Sequence, residues 1–364
     1  MSAYITSFGT ALPKHRISQK EIARFISDNL SLDDEKSKET EILFRASGIS
    51  YRHTVLEDYT KTLGDFEFFP NNESLEPFPG VSRRMHIYKH EALDLSLEAI
   101  RECIGNEEPK SFTHLITVSC TGMYAPGLDL DLVKSLGLSR SIKRTSINFM
   151  GCYAAFNAMK MAQDICTAHN QAKVLIVCVE LCSLHFQKST NTDTLLANAL
   201  FGDGAAAIVV QGQPCAQVNL KIEKFHCDLL TEGDQDMTWG IGDFGFEMTL
   251  SSYVPELIKK GIRSLIDNLV GEMGSGLGDI DYFAIHPGGK RILEVIELEL
   301  GICREKNELA YDILKNHGNM SSPTILFVLK AIFDRLKAED KGSNILGLAF
   351  GPGLTLESML LKVS

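Results

Sequence analysis

Three residues far apart in this 364-residue chain are of types that do acyl chemistry, and a repeat in the sequence brings them together. In the first half a β-rich run, Thr113-His114-Leu115-Ile116-Thr117-Val118-Ser119-Cys120, is followed by Gly151-Cys152, which opens an apolar stretch from Tyr153 to Met161. In the second half Asp281-Tyr282-Phe283-Ala284-Ile285-His286 is followed by Gly318-Asn319, which opens another from Met320 to Phe333. Cys120 to Cys152 is 32 residues and His286 to Asn319 is 33. The copies therefore put Cys152 and Asn319 at equivalent elbows, and Cys120 and His286 at equivalent strand ends. A cysteine can take up an acyl group as a nucleophile. Two neutral N–H donors stabilise the charge of a thioester enolate. Together they are the equipment of an acyl transfer that forms a carbon–carbon bond.

Taken singly, each residue has a plainer reading. A free cysteine is usually a small buried hydrophobe, a strand-end histidine a hydrogen-bonded core residue, and an asparagine after glycine a helix N-cap. The setting favours chemistry. β character ends at Phe149, Gly151 permits a tight turn, and Ala154, Ala155, Phe156, Ala158, Met159, Met161 and Ala162 make the next helix apolar nearly all round, hence buried. A thiol at the start of such a helix is expected to have its pKa lowered by the unpaired N–H groups and the dipole. A neighbouring His286 is expected to keep it ionised as an ion pair. His286 precedes Pro287-Gly288-Gly289 and so points out of the carboxyl edge of its strand, where sites in α/β folds form.

The elements that must carry these residues alternate along the chain. Ser18 with Glu21 fits a capping box before Ile22, Phe25, Ile26 and Leu30, predicting a helix over 18–30. Residues 59–82, acidic, aromatic and closing on Pro77-Phe78-Pro79-Gly80, read as a long loop. A helix from Arg84 to Cys103 follows, then strand 113–120, a short helix 127–136, strand 145–149 and the helix opened by Cys152. Residues 173–180 read as an apolar strand of a sheet buried on both faces, and Gly202-Asp203-Gly204 as a turn into a strand over 205–210. Residues 211–216 are the expected seam between two halves, 1–212 and 213–364. The second half repeats the order: strand 217–226, helix 253–270, strand 281–286, helix 289–300, a helix opened by Asn319, strand 344–350 and a closing run 354–361. Such alternation indicates an α/β protein, and two copies imply a five-layered αβαβα sandwich with the site at its centre.

Composition sets bounds on function. With 44% hydrophobic and 23% charged residues a sizeable core is available. No run approaches the ~18 apolar residues of a membrane helix, so no membrane span is expected. The N-terminal Met1-Ser2-Ala3-Tyr4-Ile5-Thr6 lacks the basic start and apolar core of a signal peptide and reads as a first strand. Nine scattered cysteines without C-x-x-C spacing indicate reduced thiols in a cytoplasmic setting, with neither a disulfide framework nor a metal site. A net charge of −11 argues against nucleic acid as a partner, although a local basic cluster could still hold an anionic cofactor.

Five motifs occur in order: Phe149-Met150-Gly151-Cys152, Ala199-Leu200-Phe201-Gly202-Asp203-Gly204-Ala205-Ala206-Ala207, Ala284-Ile285-His286-Pro287-Gly288-Gly289, Gly318-Asn319-Met320-Ser321-Ser322 and Phe350-Gly351-Pro352-Gly353-Leu354-Thr355. In them the chain resembles the thiolase superfamily and, within it, the type III polyketide synthases (the chalcone synthase family). Thiolases carry a second cysteine in the C-terminal glycine loop, which here is Gly351-Pro352-Gly353. Ketoacyl-ACP synthase III enzymes typically continue their histidine as His-Gln-Ala-Asn, which here is His286-Pro287-Gly288-Gly289. The resemblance implies a thiolase-like fold and a homodimer whose substrates are coenzyme A thioesters, with no covalently bound cofactor. Cys152 would load an acyl-CoA starter, and His286 and Asn319 would bind the malonyl-CoA thioester carbonyl. Loss of CO2 would leave an enolate that attacks the acyl-Cys152 thioester, which makes a separate strong base unnecessary.

The resemblance also implies the pocket. Phe201 corresponds to a gate between the CoA tunnel and the cavity, where core packing is its plainer reading. A second gate residue falls on Met248, with Phe244 and Phe246 close by. Cys120 stands where plant enzymes have threonine, Ala197 where a glycine lines the cyclisation pocket, and Ser321 matches the family. The methionine that reaches the partner subunit falls on Ala125, near Met123 and Tyr124. Arg45 and Arg52 lie in the segment where the family places its CoA-phosphate cations, solvated surface charge being their plainer reading. These departures do not support a flavonoid-type starter, and a flexible Met248 would open the cavity to an aliphatic chain. Two rival functions are a ketoacyl synthase III-like enzyme that stops after one condensation, and a thiolase-fold protein that binds acyl-CoA without catalysis.

Overall fold

The computed structural model of the protein describes residues 2–30, 32–251, 253–271 and 276–364. Met1, at the head of the run read as a first strand, lies outside the described residues. Along the first half run β1 (Ala3–Ala11), β2 (His15–Ser18), α1 (Gln19–Asn29), α2 (Asp34–Ala46), β3 (Tyr51–Thr54), α3 (Val81–Ile104), β4 (His114–Ser119), α4 (Leu128–Leu136), β5 (Lys143–Asn148), α5 (Ala154–Ala168), β6 (Lys173–Leu181), α6 (Thr192–Leu200) and β7 (Asp203–Gln211). The second half has β8 (Leu220–Leu229), β9 (Met237–Gly242), β10 (Gly245–Leu250), α7 (Val254–Gly271), β11 (Tyr282–Ile285), α8 (Lys290–Leu300), α9 (Glu308–His317), α10 (Thr324–Phe333), β12 (Asn344–Gly351) and β13 (Thr355–Val363).

Among the described residues nine strands form one mixed sheet in the order β11-β12-β13-β8-β1-β7-β6-β4-β5. The repeat is visible in that order: β4-β6-β7-β1 on one side mirrors β11-β12-β13-β8 on the other. In each half the first of these pairs is parallel and the next antiparallel. The halves meet along a short antiparallel seam, Ala3–Ile222, Tyr4–Lys221 and Ile5–Leu220. α3 packs on β1, β6 and β7, and α7 on β8 and β13. α5 and α10 lie between the halves, α5 against β6, β7 and β13, α10 against β1, β7 and β11. This is the five-layered αβαβα sandwich.

β6 explains why its apolar run is unbroken. Leu175, Val177, Val179 and Leu181 face the core shared with α3, while Val174, Ile176 and Cys178 face the core shared with α5. Successive side chains of a strand point to opposite faces, so both sets are apolar until Glu180, which is buried with hydrogen-bond partners. The central helices follow the same logic, with every residue of α10 from Thr324 to Leu329 buried. α1 starts as its capping box dictates: Glu21 N–H donates to Ser18 Oγ at 3.2 Å and Ser18 N–H to Glu21 Oε2 at 2.8 Å.

Four readings are corrected. Asp203 begins β7 and is not part of a turn, its carboxylate accepting from Ser183 N–H at 2.7 Å and Val55 N–H at 2.9 Å. Asn319 does not open a helix. α10 starts at Thr324, because the Asn319 backbone is committed to a bridge with Phe201, its N–H donating to Leu200 O and its C=O accepting from Gly202 N–H, both at 2.9 Å. Cys152 likewise precedes its helix, in a 3₁₀ turn from Gly151 to Tyr153. Where the first half has strand β5 ahead of the elbow, the second has helix α9.

Candidate active site

The two elbows are built around glycines that nothing larger can replace. Gly151 has φ 76° and a Cβ there would lie 2.3 Å from Pro352 Cδ. Gly318 has φ 71° and a Cβ would lie 2.8 Å from Leu200 O. Both positions combine the left-handed region with a close approach, which only glycine tolerates. The elbows deliver Cys152 and Asn319 to each other, Sγ lying 3.9 Å from both Oδ1 and Nδ2. Surrounding bonds fix the amide's orientation: Oδ1 accepts from Ser321 N–H at 2.8 Å, and Nδ2 donates to Gly288 O at 3.4 Å. Asn319 thus links the thiol to the His286-Pro287-Gly288 segment that leaves β11.

His286 is anchored through its backbone, N–H donating to Leu348 O at 2.8 Å and C=O accepting from Gly288 N–H at 2.9 Å. Its imidazole is buried, and neither ring nitrogen has a hydrogen-bond partner among the described residues. A buried polar group left without a partner costs about 1–3 kcal/mol, so such a group at a site is a donor held for something else.

Burial pushes the Cys152 thiol up to about 11, against the lowering effect of hydrogen bonds from Ser321 and Asn319. Burial pushes His286 down to about 3. The expected lowering of the thiol is therefore not found. A helix dipole contributes about 0.3–1 kcal/mol, under one pKa unit, and Cys152 lies ahead of α5 rather than in its first turn. Desolvation outweighs it and disfavours the charged form of both the thiol and the imidazole.

Cys120 follows β4 and is buried beside Glu180, a residue the sequence reading missed. Glu180 ends the apolar part of β6 and accepts from Cys120 N–H at 2.9 Å, Thr121 Oγ1 at 2.8 Å and Ser322 Oγ at 2.6 Å. Its signal was a lone carboxylate closing an otherwise apolar strand. Burial raises its pKa, with Ser322, Cys120 and Thr121 opposing. Cys120 Sγ is 3.4 Å from Glu180 Oε1 and 3.5 Å from Ser321 Oγ. Burial and the Glu180 charge hold its pKa well above the usual thiol value.

A second missed element, the β9–β10 hairpin, forms one wall of the cavity. Its facing pairs Trp239–Met248 and Ile241–Phe246 share a face. The signal was alternation on both sides of Gly242-Asp243-Phe244-Gly245. Ala197, Phe201 and Met248 line one cavity together with His185, Trp239 and Phe246. Phe246 is 2% exposed and Phe244 48%, so of the aromatics near Met248 it is Phe246 that faces inward. Trp239 Nε1 donates to Cys120 O at 2.6 Å.

His185 pins the hairpin from the other side. Its Nδ1 accepts from Phe246 N–H at 2.8 Å, which leaves Nε2–H to donate to Thr121 O at 2.6 Å, and the ring stacks on Phe246 at 4.3 Å. Burial lowers its pKa to about 3. The folded pKa lies below the unfolded 6.5, so the stability gained from neutral His185 is complete above pH 6.5 and is lost as pH falls toward 3. Between pH 7.5 and 5.0 the wild type should lose about 2 kcal/mol more unfolding free energy than His185→Gln. Urea unfolding of both proteins at both pH values measures this, and equal losses would count against a buried neutral ring.

The two arginines separate. Arg45 is exposed on the last turn of α2. Arg52 is corrected: it is 6% exposed, its Nε donating to Gln19 Oε1 at 3.0 Å and its Nη1 to Phe201 O. The alternation of β3 sends Arg52 and Thr54 inward, where both line the cavity with Phe201 and Met248, so Arg52 is not the solvated surface charge of its plainer reading. Near Ala125, Met123 is the exposed apolar side chain.

A pseudo-symmetric α/β sandwich that brings a cysteine, an asparagine and a histidine-bearing strand end to its centre is the frame of a thiolase-fold acyltransferase. Comparison with known proteins places it more narrowly. The family described as chalcone and stilbene synthases matches in both parts, its N-terminal domain over residues 1–214 and its C-terminal domain over residues 221–364. Relatives include the α-pyrone synthesis polyketide synthase-like Pks18 of Mycobacterium tuberculosis, 30% identical over 99% of this chain and 91% of its own length. Type III polyketide synthase C of Arabidopsis thaliana is 30% identical over 99% of this chain and 95% of its own. Among solved structures, PKS-I of the brown alga Ectocarpus siliculosus superposes with a TM-score of 0.90 at 31% identity, covering 99% of this chain and 98% of its own. The C-terminal type III polyketide synthase domain of Steely1 from Dictyostelium gives 0.90 at 27% identity, covering 100% and 99%. The chain belongs to the chalcone and stilbene synthase family: it is a type III polyketide synthase, an acyltransferase that extends an acyl-CoA starter with malonyl-CoA.

Proposed function

We propose that Cys152 carries the growing acyl chain and that His286 and Asn319 bind the malonyl thioester carbonyl while CO2 leaves. The observation that carries this reading is the Asn319 amide, oriented by Ser321 N–H and 3.9 Å from Cys152 Sγ. Cys152 and His286 start neutral, so the acyl-accepting thiolate forms as its proton passes to His286, in reach of the arriving thioester. Phe201 and Met248 gate the passage, Ala197, Cys120 and Ser321 line the chamber, and exposed Arg45 is the remaining candidate for the CoA phosphates. The substrates are free CoA thioesters and no further cofactor takes part.

In this reading the halves 1–212 and 213–364 are two copies of one unit, the first supplying the thiol and the second the donors. The protein works as a homodimer in the reducing cytoplasm. β5 is an edge strand of the sheet, which leaves backbone groups that a second copy could pair with, and the nine free cysteines support the compartment. Met248 in place of an aromatic gate supports an aliphatic starter. The Mycobacterium tuberculosis relative is named for α-pyrone synthesis, and a pyrone is the first product to look for.

Incubation with radiolabelled malonyl-CoA and a panel of acyl-CoA starters, with products identified by mass spectrometry, tests the reading. Products carrying two or more malonyl-derived units are expected. Mono-condensed products alone, or a requirement for acyl carrier protein, would favour a ketoacyl synthase III-like enzyme instead.

A further inference from the structure

Arg52, buried beside the cavity, has a further task. α6 ends at Leu200 and α9 at His317, and the two helix ends meet at the Phe201–Asn319 bridge, where the last carbonyls of α6 have no intrahelical partner. Leu200 O faces the bridge and accepts from Asn319 N–H at 2.9 Å. Ala199 O and Phe201 O are bonded by side chains instead. Ala199 O accepts from Gln19 Nε2 at 2.6 Å and Phe201 O from Arg52 Nη1, while Gln19 Oε1 accepts from Arg52 Nε at 3.0 Å. Gln19 is held in turn by Ser47 Oγ at 3.1 Å. Two side chains thus satisfy carbonyls that the end of α6 leaves without an intrahelical partner. The fit is close, since a Cβ on Gly318 would lie 2.9 Å from Arg52 Cδ and one on Gly202 would lie 3.5 Å from Arg52 Cβ.

We infer that the Gln19–Arg52 pair is the back wall of the bridge that carries Phe201 and Asn319, which makes Arg52 a positioning residue for the decarboxylation step. The inference rests on the assignment of Asn319 as an enolate donor. Arg52 touches no reacting atom. It acts by holding the Phe201 carbonyl, whose neighbouring peptide groups bond both the N–H and the C=O of Asn319. A displacement of about 1 Å in such a group can cost about 100-fold in rate. Cys152 sits on a separate elbow that Arg52 does not bond.

The test is Arg52→Lys, which keeps the charge but loses the fork that reaches Gln19 and Phe201 at once. Acyl loading of Cys152, read by intact-protein mass spectrometry, should stay within about 3-fold of wild type, while CO2 release from malonyl-CoA should fall about 30-fold. Hydrogen exchange over 199–202 and 317–320 should rise in both segments together. Equal losses in loading and CO2 release, no loss in either, or unchanged exchange would overturn the inference. If Arg52→Lys does not fold, Gln19→Leu, which leaves Arg52 present but unbraced, should show the same split at smaller size, and equal losses there overturn it too. A wild-type protein that neither loads Cys152 nor releases CO2 would refute the proposed function instead, and the exchange comparison would still decide the bracing.

Discussion

A Cys152→Ala protein should take up no acyl group from any acyl-CoA, and its polyketide formation should fall by about 10⁴-fold or more, the scale seen when a covalent nucleophile is removed. The other thiols are poor substitutes. Cys120 is the obvious stand-in, a second buried thiol tied to the same Ser321. Burial and the Glu180 carboxylate 3.4 Å away hold its pKa well above the usual thiol value, so its thiolate is harder to form than that of Cys152, where Ser321 and Asn319 oppose burial. The exposed thiols Cys215, Cys227 and Cys303 have no donor pair beside them. CO2 release from malonyl-CoA should persist in this variant, because Asn319 keeps its bond to Ser321 N–H without Cys152. Intact mass after incubation with starter, together with trapped CO2, reads both halves. An acyl adduct that survives the substitution would show that another thiol carries the chain.

That expectation depends on how the thiol ionises, and here desolvation decides the outcome. A buried thiol near 11 and a buried imidazole near 3 both resist charge. Ser321 and Asn319, the two groups that lower the Cys152 pKa, belong to the second half of the chain. The thiol of one copy is therefore tuned by the elbow of the other.

The layered fold was legible because strands buried on both faces and helices buried all round leave long apolar runs, as in β6 and α10. The convergence of Cys152 with Asn319 was legible from the repeat, since equal spacing from strand to elbow fixes equivalent places. Legibility ended where tertiary contact overrides local pattern. Asn319 followed by Met320-Ser321-Ser322-Pro323 carries a helix-start signal, yet its backbone is used by a bridge to Phe201, more than a hundred residues earlier. Arg52 reads as surface charge until the inward face of β3 and the space left by Gly202 and Gly318 are known. The lowered thiol failed for a related reason: a dipole can be read from a helix start, whereas the depth of burial that opposes it is a property of the whole sandwich. The β9–β10 hairpin was missed although its alternation and glycine-flanked turn were present, because its residues form a cavity wall outside the main sheet and have no counterpart in the repeat.

Asn319→Ala should load starter on Cys152 but release CO2 from malonyl-CoA about 10²–10³-fold more slowly, the cost of removing one preorganised oxyanion donor. Two features make the donor preorganised. Its Oδ1 is occupied by Ser321 N–H at 2.8 Å, so the amide cannot turn over, and its backbone is held at both ends by the bridge to 200–202. Asn319→Asp separates geometry from charge. A carboxylate is nearly the same shape and can still accept from Ser321 N–H, so the 319–322 loop keeps its form, yet it offers no donor and places negative charge where the enolate develops. CO2 release should therefore fall at least as far as in Asn319→Ala. Loading should fall as well, because an anion beside a buried thiol raises its pKa further. An Asn319→Asp protein that decarboxylated malonyl-CoA at the wild-type rate would mean that the amide only shapes the loop, and that His286 alone stabilises the enolate.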